Sequence, residues 1–268
     1  MTDHTAQSAT FRALHAGPGL LILPNVSDAG GARLMESLGA KAIATTSSGL
    51  AWAHAWPDGD RLPVEIHAAA IRQIERAVKL PITVDAEGGY GRDPAAVAEA
   101  VARLIDAGAV GINLEDGSET ADATRAKIEA IKGAAARAGV DLFVNTRTDV
   151  FLRQLAPGRE VEETLIRARL YADSGADGLF IPGATDPAAI KAIAEAIALP
   201  LNVMAWPGLP PIGELAALGV RRLSAGAAIA QAAWGLSRRL AEGFLRGDMG
   251  ELFAGAMGYA DINGLMSR

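Results

Sequence analysis

The run Ala107-Gly108-Ala109-Val110-Gly111-Ile112-Asn113-Leu114-Glu115-Asp116-Gly117 decides how this chain folds. An alanine-rich segment closes on glycine, an apolar run follows, and two acids and another glycine end it. Glycine just past a helix accepts the left-handed backbone that other residues resist, so it terminates helices. A short apolar run bounded by glycine reads as a strand buried on both faces, as in a parallel sheet. A carboxylate is costly to bury without a partner, which puts Glu115 and Asp116 at or just past the strand's end. The stretch Pro81-Ile82-Thr83-Val84-Asp85-Ala86-Glu87-Gly88-Gly89-Tyr90-Gly91 repeats the arrangement with Asp85 and Glu87.

The junction recurs at Ala138-Gly139-Val140, Ser174-Gly175-Ala176 and Leu218-Gly219-Val220. Eight strand-like runs stand at 20–26, 42–46, 82–85, 110–115, 142–147, 178–182, 201–205 and 221–225. Helical periodicity fills segments such as 95–107, 123–138, 161–174, 187–198 and 212–218, some opening on Asp93-Pro94 or Asp186-Pro187. Eight strand–helix units predict an α/β fold of the (β/α)8 TIM barrel type. The rival is an open doubly wound sheet with a glycine-rich phosphate loop after its first strand. Asn25-Val26-Ser27-Asp28-Ala29-Gly30-Gly31 lacks that loop's spacing, which favours the barrel. No linker divides residues 1–268, so one domain is expected, with the barrel over about 18–226 and a helical tail over 227–268. The tail should be helical near 229–244 and 249–259. Its Trp234, Leu236, Leu240, Phe244, Leu252 and Phe253 need a surface to cover, on their own barrel or on a neighbour.

Composition narrows the function. A chain of 268 residues, 50% hydrophobic, buries a sizeable core. Its formal net charge of −6 argues against nucleic acid as a partner. The absence of cysteine excludes disulfides, thiolate metal sites and a cysteine nucleophile. Residues 1–15 lack a secretion-signal pattern and no apolar run is long enough for a bilayer, so a soluble cytoplasmic protein without a membrane partner is expected.

In a barrel of this type the chemistry sits at the C-terminal strand ends. Read in order, these offer Asn25 and Asp28; Thr46, Ser47 and Ser48; Asp85 and Glu87; Glu115 and Asp116; Asn145, Arg147 and Asp149; and Asn202. Carboxylates gathered at one mouth repel one another unless a cation sits among them, and hard oxygen donors with room for water point to Mg²⁺. Arg147 can grip a carboxylate or phosphonate with two parallel hydrogen bonds. Plainer readings stand beside these: Asp58 as a turn residue, Asp116 as a neighbour of a helix cap, Arg147 as a structural bridge to Asp149, and His54 and His67 as a loop and a helix residue. Ser47 and Ser48 have no partnered His and Asp in view, which argues against a nucleophilic triad.

Taken in order, Leu23-Pro24-Asn25-Val26-Ser27-Asp28-Ala29, Thr45-Thr46-Ser47-Ser48-Gly49, Trp56-Pro57-Asp58, the block 84–91, Asn113-Leu114-Glu115-Asp116 and Arg147-Thr148-Asp149 resemble the isocitrate lyase/phosphoenolpyruvate mutase superfamily. The resemblance implies a TIM barrel with C-terminal helices exchanged between subunits, as a homodimer or homotetramer. It implies Mg²⁺, with Mn²⁺ as a substitute, near Asp85, Glu87, Asp58 and Glu115. It implies a small anionic 2-oxo or 2-hydroxy carboxylate held by Thr46, Ser47, Ser48, Gly49, Arg147 and Asn202. Arg147, Glu115 and Tyr90 are the candidate catalytic groups, with Tyr90 and Glu119 as candidate proton donors.

Two departures stand out: Glu87 replaces an aspartate common in the characterised lyases, and the loop 117–124 lacks the cysteine segment of the tricarboxylate lyases. The resulting expectation is a Mg²⁺-dependent lyase breaking a C–C bond through a metal-stabilised enolate, with that loop as a lid. The alternatives are a phosphonopyruvate C–P bond enzyme and a catalytically degenerate metabolite-binding barrel.

Overall fold

A computed structural model describes residues 4–17 and 19–267, so Pro18, where the barrel was expected to begin, and residues 1–3 and 268 lie outside the described residues. The elements are α1 His4–Ala16, β1 Leu21–Leu23, β2 Asn25–Val26, α2 Ala29–Ser37, β3 Ile43–Thr45, α3 Ser47–Ala53, α4 Val64–Ala77, β4 Ile82–Asp85, α5 Pro94–Asp106, β5 Ala109–Glu115 and α6 Ala121–Arg137. They continue with β6 Phe143–Arg147, α7 Glu160–Asp173, β7 Gly178–Phe180, α8 Pro187–Ala196, β8 Leu201–Met204, α9 Ile212–Leu215, β9 Val220–Ser224, α10 Ala228–Leu245 and α11 Tyr259–Met266.

All strand pairs are parallel, in the order β1-β9-β8-β7-β6-β5-β4-β3-β2. The run expected as one first strand is two. Proline has no N–H to give a ladder, and Pro24 divides the run so that β1 pairs with β9 and β2 with β3. Those two pairings bring the ends of the sheet together into a (β/α)8-type barrel. Asn25 fastens the join: its amide donates to the Thr45 carbonyl at 2.7 Å and its carbonyl accepts from the Ala225 and Gly226 N–H groups at 2.8 and 3.0 Å.

The helices begin and end as their caps dictate. Asp93 accepts from the Ala96 N–H ahead of Pro94, and Asp186 from Ala188 and Ala189 ahead of Pro187. Gly108 and Gly219 leave their helices at φ +117° and +89°, which L side chains adopt only under strain.

Inside the barrel the strands meet through an amide ladder. Asn145 donates to Asn113 and Asn202 at 2.9 and 3.0 Å, and Arg222 donates to Asn113 at 3.1 Å. Arg222 is almost wholly buried, and burial lowers its pKa to about 9. At the N-terminal ends of the strands, α1 closes the barrel with Phe11, which is fully buried against the bare backbone of Gly111 and packs edge-on to Phe143. His15 stacks on Phe143, and burial holds its pKa down at about 3. The opposite end of the barrel stays open.

Beyond β9 the tail departs from expectation. Helix α10 forms as read and has no buried residue. The helix expected over 249–259 does not form: Gly250 and Gly255, the latter at φ +71°, break it into turns, and α11 starts only at Tyr259. That helix returns to α2, where Arg33 donates to the Leu265 carbonyl at 3.2 Å. Among the described residues no helix is long and apolar enough to cross a membrane.

Candidate active site

Asp85 is the last residue of β4, and its neighbours hold it at the mouth. Its N–H donates to the Thr45 hydroxyl at 2.9 Å, and the Ser47 N–H at the start of α3 reaches its carboxylate at 3.3 Å. The chain past β4 and β5 stays tied to the sheet, with Ala86 N–H on the Asn113 carbonyl at 3.0 Å and Glu115 N–H on the Glu87 carbonyl at 2.8 Å. Glu87 takes φ +51° and is buried, and the Asp60 N–H donates to its carboxylate. A non-glycine residue in that conformation is held there by its surroundings.

The acids share one field. Burial pushes Asp85 up, and Asp58 adds to it, while Arg147 opposes. Burial, with Asp85, Asp58 and Asp60 nearby, lifts Glu87 to about 7. Burial lifts Glu115 to about 8 even though Arg147 Nη1 lies 2.7 Å from its carboxylate. Removing several negative charges from water at one place raises each pKa in this way.

Arg147, at the end of β6, is both a pocket residue and a bridge. It forks onto Asp149 through Nε at 2.7 Å and Nη2 at 3.1 Å, lies over the Phe180 ring at 5.9 Å, and pairs with Glu115. Asp149 is fully buried and also holds Arg153 at 2.8 Å. Its N–H donates to Asp116, whose other oxygen accepts from Arg167 at 2.7 Å and from the Tyr171 hydroxyl at 2.8 Å. Asp116 is therefore a buried anchor for the loops behind Arg147.

A cavity of about 590 Å³ opens at the mouth, lined by Asn25, Thr46, Ser47, Ser48, Asp58, Asp85, Asn113, Arg147, Phe180, Met204, Trp206 and Gln231 among others. A second, of about 490 Å³, is lined by Asp60, Tyr90, Glu115, Glu119, Lys127 and Arg153 among others. The Arg147–Glu115 pair contributes one residue to each lining, so it stands between the two.

Several residues read from the sequence lie elsewhere than expected. Asn202 is buried in the amide ladder and does not line the main cavity. Gly49 sits beneath α10, where a Cβ would collide with Ser27 Oγ and crowd Ala230 at 3.1 Å; its place demands the bare backbone. Asp28 caps α2. The Tyr90 hydroxyl shares a hydrogen bond with His67 Nδ1, burial holding that imidazole at about 4 and the phenol well above its ordinary value. The loop expected over 117–124 is shorter, since α6 begins at Ala121 with Thr120 as its cap. Glu119 is ion-paired with Lys127 at 2.7 Å, which fastens rather than frees that loop.

Other residues escaped the sequence reading. Lys127 is buried and also donates to the Gly88 carbonyl at 2.8 Å, joining the loops after β4 and β5. Asp60 accepts from the Tyr90 N–H at 3.0 Å, and burial raises its pKa. Met204, Trp206 and Gln231 form much of the cavity's far wall.

Among the described residues no group of three or more His, Cys, Asp or Glu side chains is arranged to hold a metal ion as it stands. The chemistry of the donors still suits one: all are hard oxygens, their ionised forms repel one another, and Mg²⁺ dehydrates reluctantly and commonly binds one or two carboxylates plus water. Asp85, with Asp58, Glu87 and Glu115 around it, would hold such an ion.

A parallel barrel with acids and one arginine at its C-terminal mouth defines a class of small-molecule enzymes. The chain belongs to the phosphoenolpyruvate phosphomutase family, whose model matches residues 11–245, within the isocitrate lyase/phosphoenolpyruvate mutase superfamily. It is 36% identical over 222 residues to the uncharacterized protein Rv1998c of Mycobacterium tuberculosis, covering 81% of each chain. It is 30% identical over 231 residues to oxaloacetate decarboxylase of Pseudomonas fluorescens, covering 84% of this chain and 80% of the relative. A candidate phosphonomutase from Burkholderia cenocepacia J2315 superposes with TM-score 0.84 at 42% identity, over 89% of this chain and 98% of that one. Phosphonopyruvate hydrolase, in a structure with oxalate and Mg²⁺, superposes with TM-score 0.84 at 25% identity, over 97% and 95%.

The raised carboxylates set a pH dependence. An unfolded glutamate loses its proton near 4.5, whereas Glu87 and Glu115 keep theirs to about 7 and 8 in the fold. Between those values the folded chain binds more protons, so stability falls as pH rises. His15 and His67 act with the opposite sign, but only below their ordinary value of 6.5. From about pH 6.5 to pH 8 the carboxylates therefore dominate. Thermal denaturation in EDTA should show a falling Tm across that window, and added Mg²⁺ should raise Tm more at the upper end. A Tm that is flat or rising there, with no Mg²⁺ effect, would contradict the acidic cluster.

Proposed function

We propose that this chain is a Mg²⁺-dependent lyase that breaks a C–C bond of a small 2-oxo or 2-hydroxy carboxylic acid. The observation that supports it most is the cluster of Asp85, Glu87 and Glu115, all with raised pKa values, beside the guanidinium of Arg147, with Asp85 and Arg147 lining the main cavity. When bound, Mg²⁺ supplies a Lewis acid for the negative charge that develops on the substrate as the bond breaks. Arg147 has N–H groups left after serving Glu115 and Asp149, and these orient the substrate's carboxylate. Ser47 and Ser48, at the start of α3, line the same cavity, with the Ser47 N–H on Asp85. Asp149, held in turn by Arg153, fixes the plane of the guanidinium, so the angle of approach is set before the substrate arrives. Met204 and Trp206 bound the cavity on the side toward β8.

A second reading, cleavage or transfer at a C–P bond, draws on the phosphomutase family model and on the likeness to phosphonopyruvate hydrolase. Against it, the main cavity offers a phosphonate one arginine and no lysine. A panel of 2-oxo and 2-hydroxy acids with and without Mg²⁺ separates the readings: pyruvate or another short 2-oxo acid released from a C–C substrate supports the first, and phosphate released from phosphonopyruvate supports the second. On the active substrate, Asp85→Ala should abolish Mg²⁺-dependent turnover with the fold retained. Arg147→Lys, which swaps a fork for a point charge, should cost about 10- to 100-fold in kcat/KM. Activity indifferent to EDTA and to both substitutions would remove the proposal.

We also propose assembly into at least a dimer through the tail. Trp234, Phe244, Leu245 and Phe253 are exposed on a segment whose long helix buries nothing, and patches of this kind mark interfaces. Light scattering at micromolar concentration should give the mass of two or four chains. A fully active species with the mass of one chain would refute it.

A further inference from the structure

The main cavity has two unlike halves. Toward β2–β6 lie the hydroxyl and charged groups: Ser47, Ser48, Asp58, Asp85 and Arg147. Toward β8 and β9 the wall is made by Met204, Trp206, Pro207, Ala225 and Ala228, with no charged side chain among the lining residues on that side, while Phe180 lies between the halves under the Arg147 guanidinium. Met204 ends β8, and Trp206 stands half-exposed at the rim in the segment after it. The polar side chains there are those of Ser224 and Gln231, with Asn25 bonded to the same segment at Ala225 and Gly226. At about 590 Å³ the cavity is also far roomier than a four-carbon acid requires, being within the range of sites for much larger ligands.

A second carboxylate or a phosphonate on that side would leave water without a cation to meet it, which is costly. Arg147 cannot serve both ends, because Glu115 and Asp149 hold it on the acidic side. An apolar group there would instead cover Met204 and Trp206 and release the water on them. We infer that the natural substrate carries an uncharged apolar substituent, alkyl or aryl, on the end remote from the carboxylate held at Arg147, seated against Met204 and Trp206. Resting on the carboxylate site proposed above, this makes the wall after β8 and β9 the determinant of specificity. It selects against dicarboxylates of equal length.

Calorimetric titration of the full chain with Mg²⁺ present tests it. The ligands are oxalate, then pyruvate, 2-oxobutanoate, 2-oxopentanoate and 2-oxohexanoate, with 2-oxoglutarate as the charged counterpart of 2-oxopentanoate. Affinity should rise along the 2-oxo acid series by up to about fourfold for each methylene buried. 2-Oxopentanoate should bind tighter than 2-oxoglutarate. Trp206→Ala should flatten the rise, and Trp206→Arg, which puts a cation on the apolar wall, should reverse the order of that last pair. Oxalate binding combined with a flat or falling series, or with 2-oxoglutarate preferred by the unmodified chain, overturns this inference and leaves the carboxylate site standing. Failure of oxalate and of every 2-oxo acid to bind overturns both.

Discussion

Carboxylates held out of water beside one another are the constraint on which the rest of this structure depends. Asp85, Glu87 and Glu115 stand where strands of a parallel barrel end, each pushed upward in pKa by burial and by its neighbours. Left alone, such a cluster would splay its loops apart or stay protonated. The fold opposes the first outcome with fixed cations: Arg147 lies between Glu115 and Asp149, and Lys127 ties Glu119 to the Gly88 carbonyl. Protonation is what a divalent cation would displace, so the same cluster that weakens the bare fold near neutral pH is the one suited to bind metal.

The barrel supplies rigidity from below and from behind. Below the mouth, Asn113, Asn145, Asn202 and Arg222 satisfy one another in the interior, and Phe11 of α1 fills the far end. Behind the mouth, Arg167 and Tyr171 of α7 fix Asp116, Asp116 fixes the Asp149 backbone, and Asp149 fixes Arg147. Placing a guanidinium through a chain of buried, mutually satisfied groups leaves little reorganisation for the moment a substrate binds. The short segment between β5 and α6 is pinned by the Lys127 pair, which makes it an edge of the site more than a lid.

The strands were legible because a parallel strand must be apolar on both faces, and glycine marks where each begins and ends. What the sequence could not show was the break at Pro24, whose meaning depends on two different partners, β9 and β3, far apart in the chain. The acids and Arg147 were legible from their place at strand ends. Lys127 was not, because a lysine on an alanine-rich helix reads as a solvated face until its contacts with Gly88 and Glu119 are seen. Asp60 was missed for a like reason, since its hydrogen bond with Tyr90 joins segments distant in the chain. Asparagine at a strand end reads as substrate-binding, but Asn202 faces the interior ladder. The helix expected over 249–259 failed because apolar residues there outweighed, in the reading, glycines that break it in the fold.

The central claim is that the acidic cluster at the mouth is a divalent-cation site that completes itself with a carboxylate ligand. Titrating the metal-free chain with Mn²⁺, followed by the electron paramagnetic resonance of the free ion, tests this without turnover. The account predicts one ion bound per chain near pH 8, with affinity that increases when oxalate is added and is lost in Asp85→Asn. Free Mn²⁺ rising in step with the total, with and without oxalate, would contradict it.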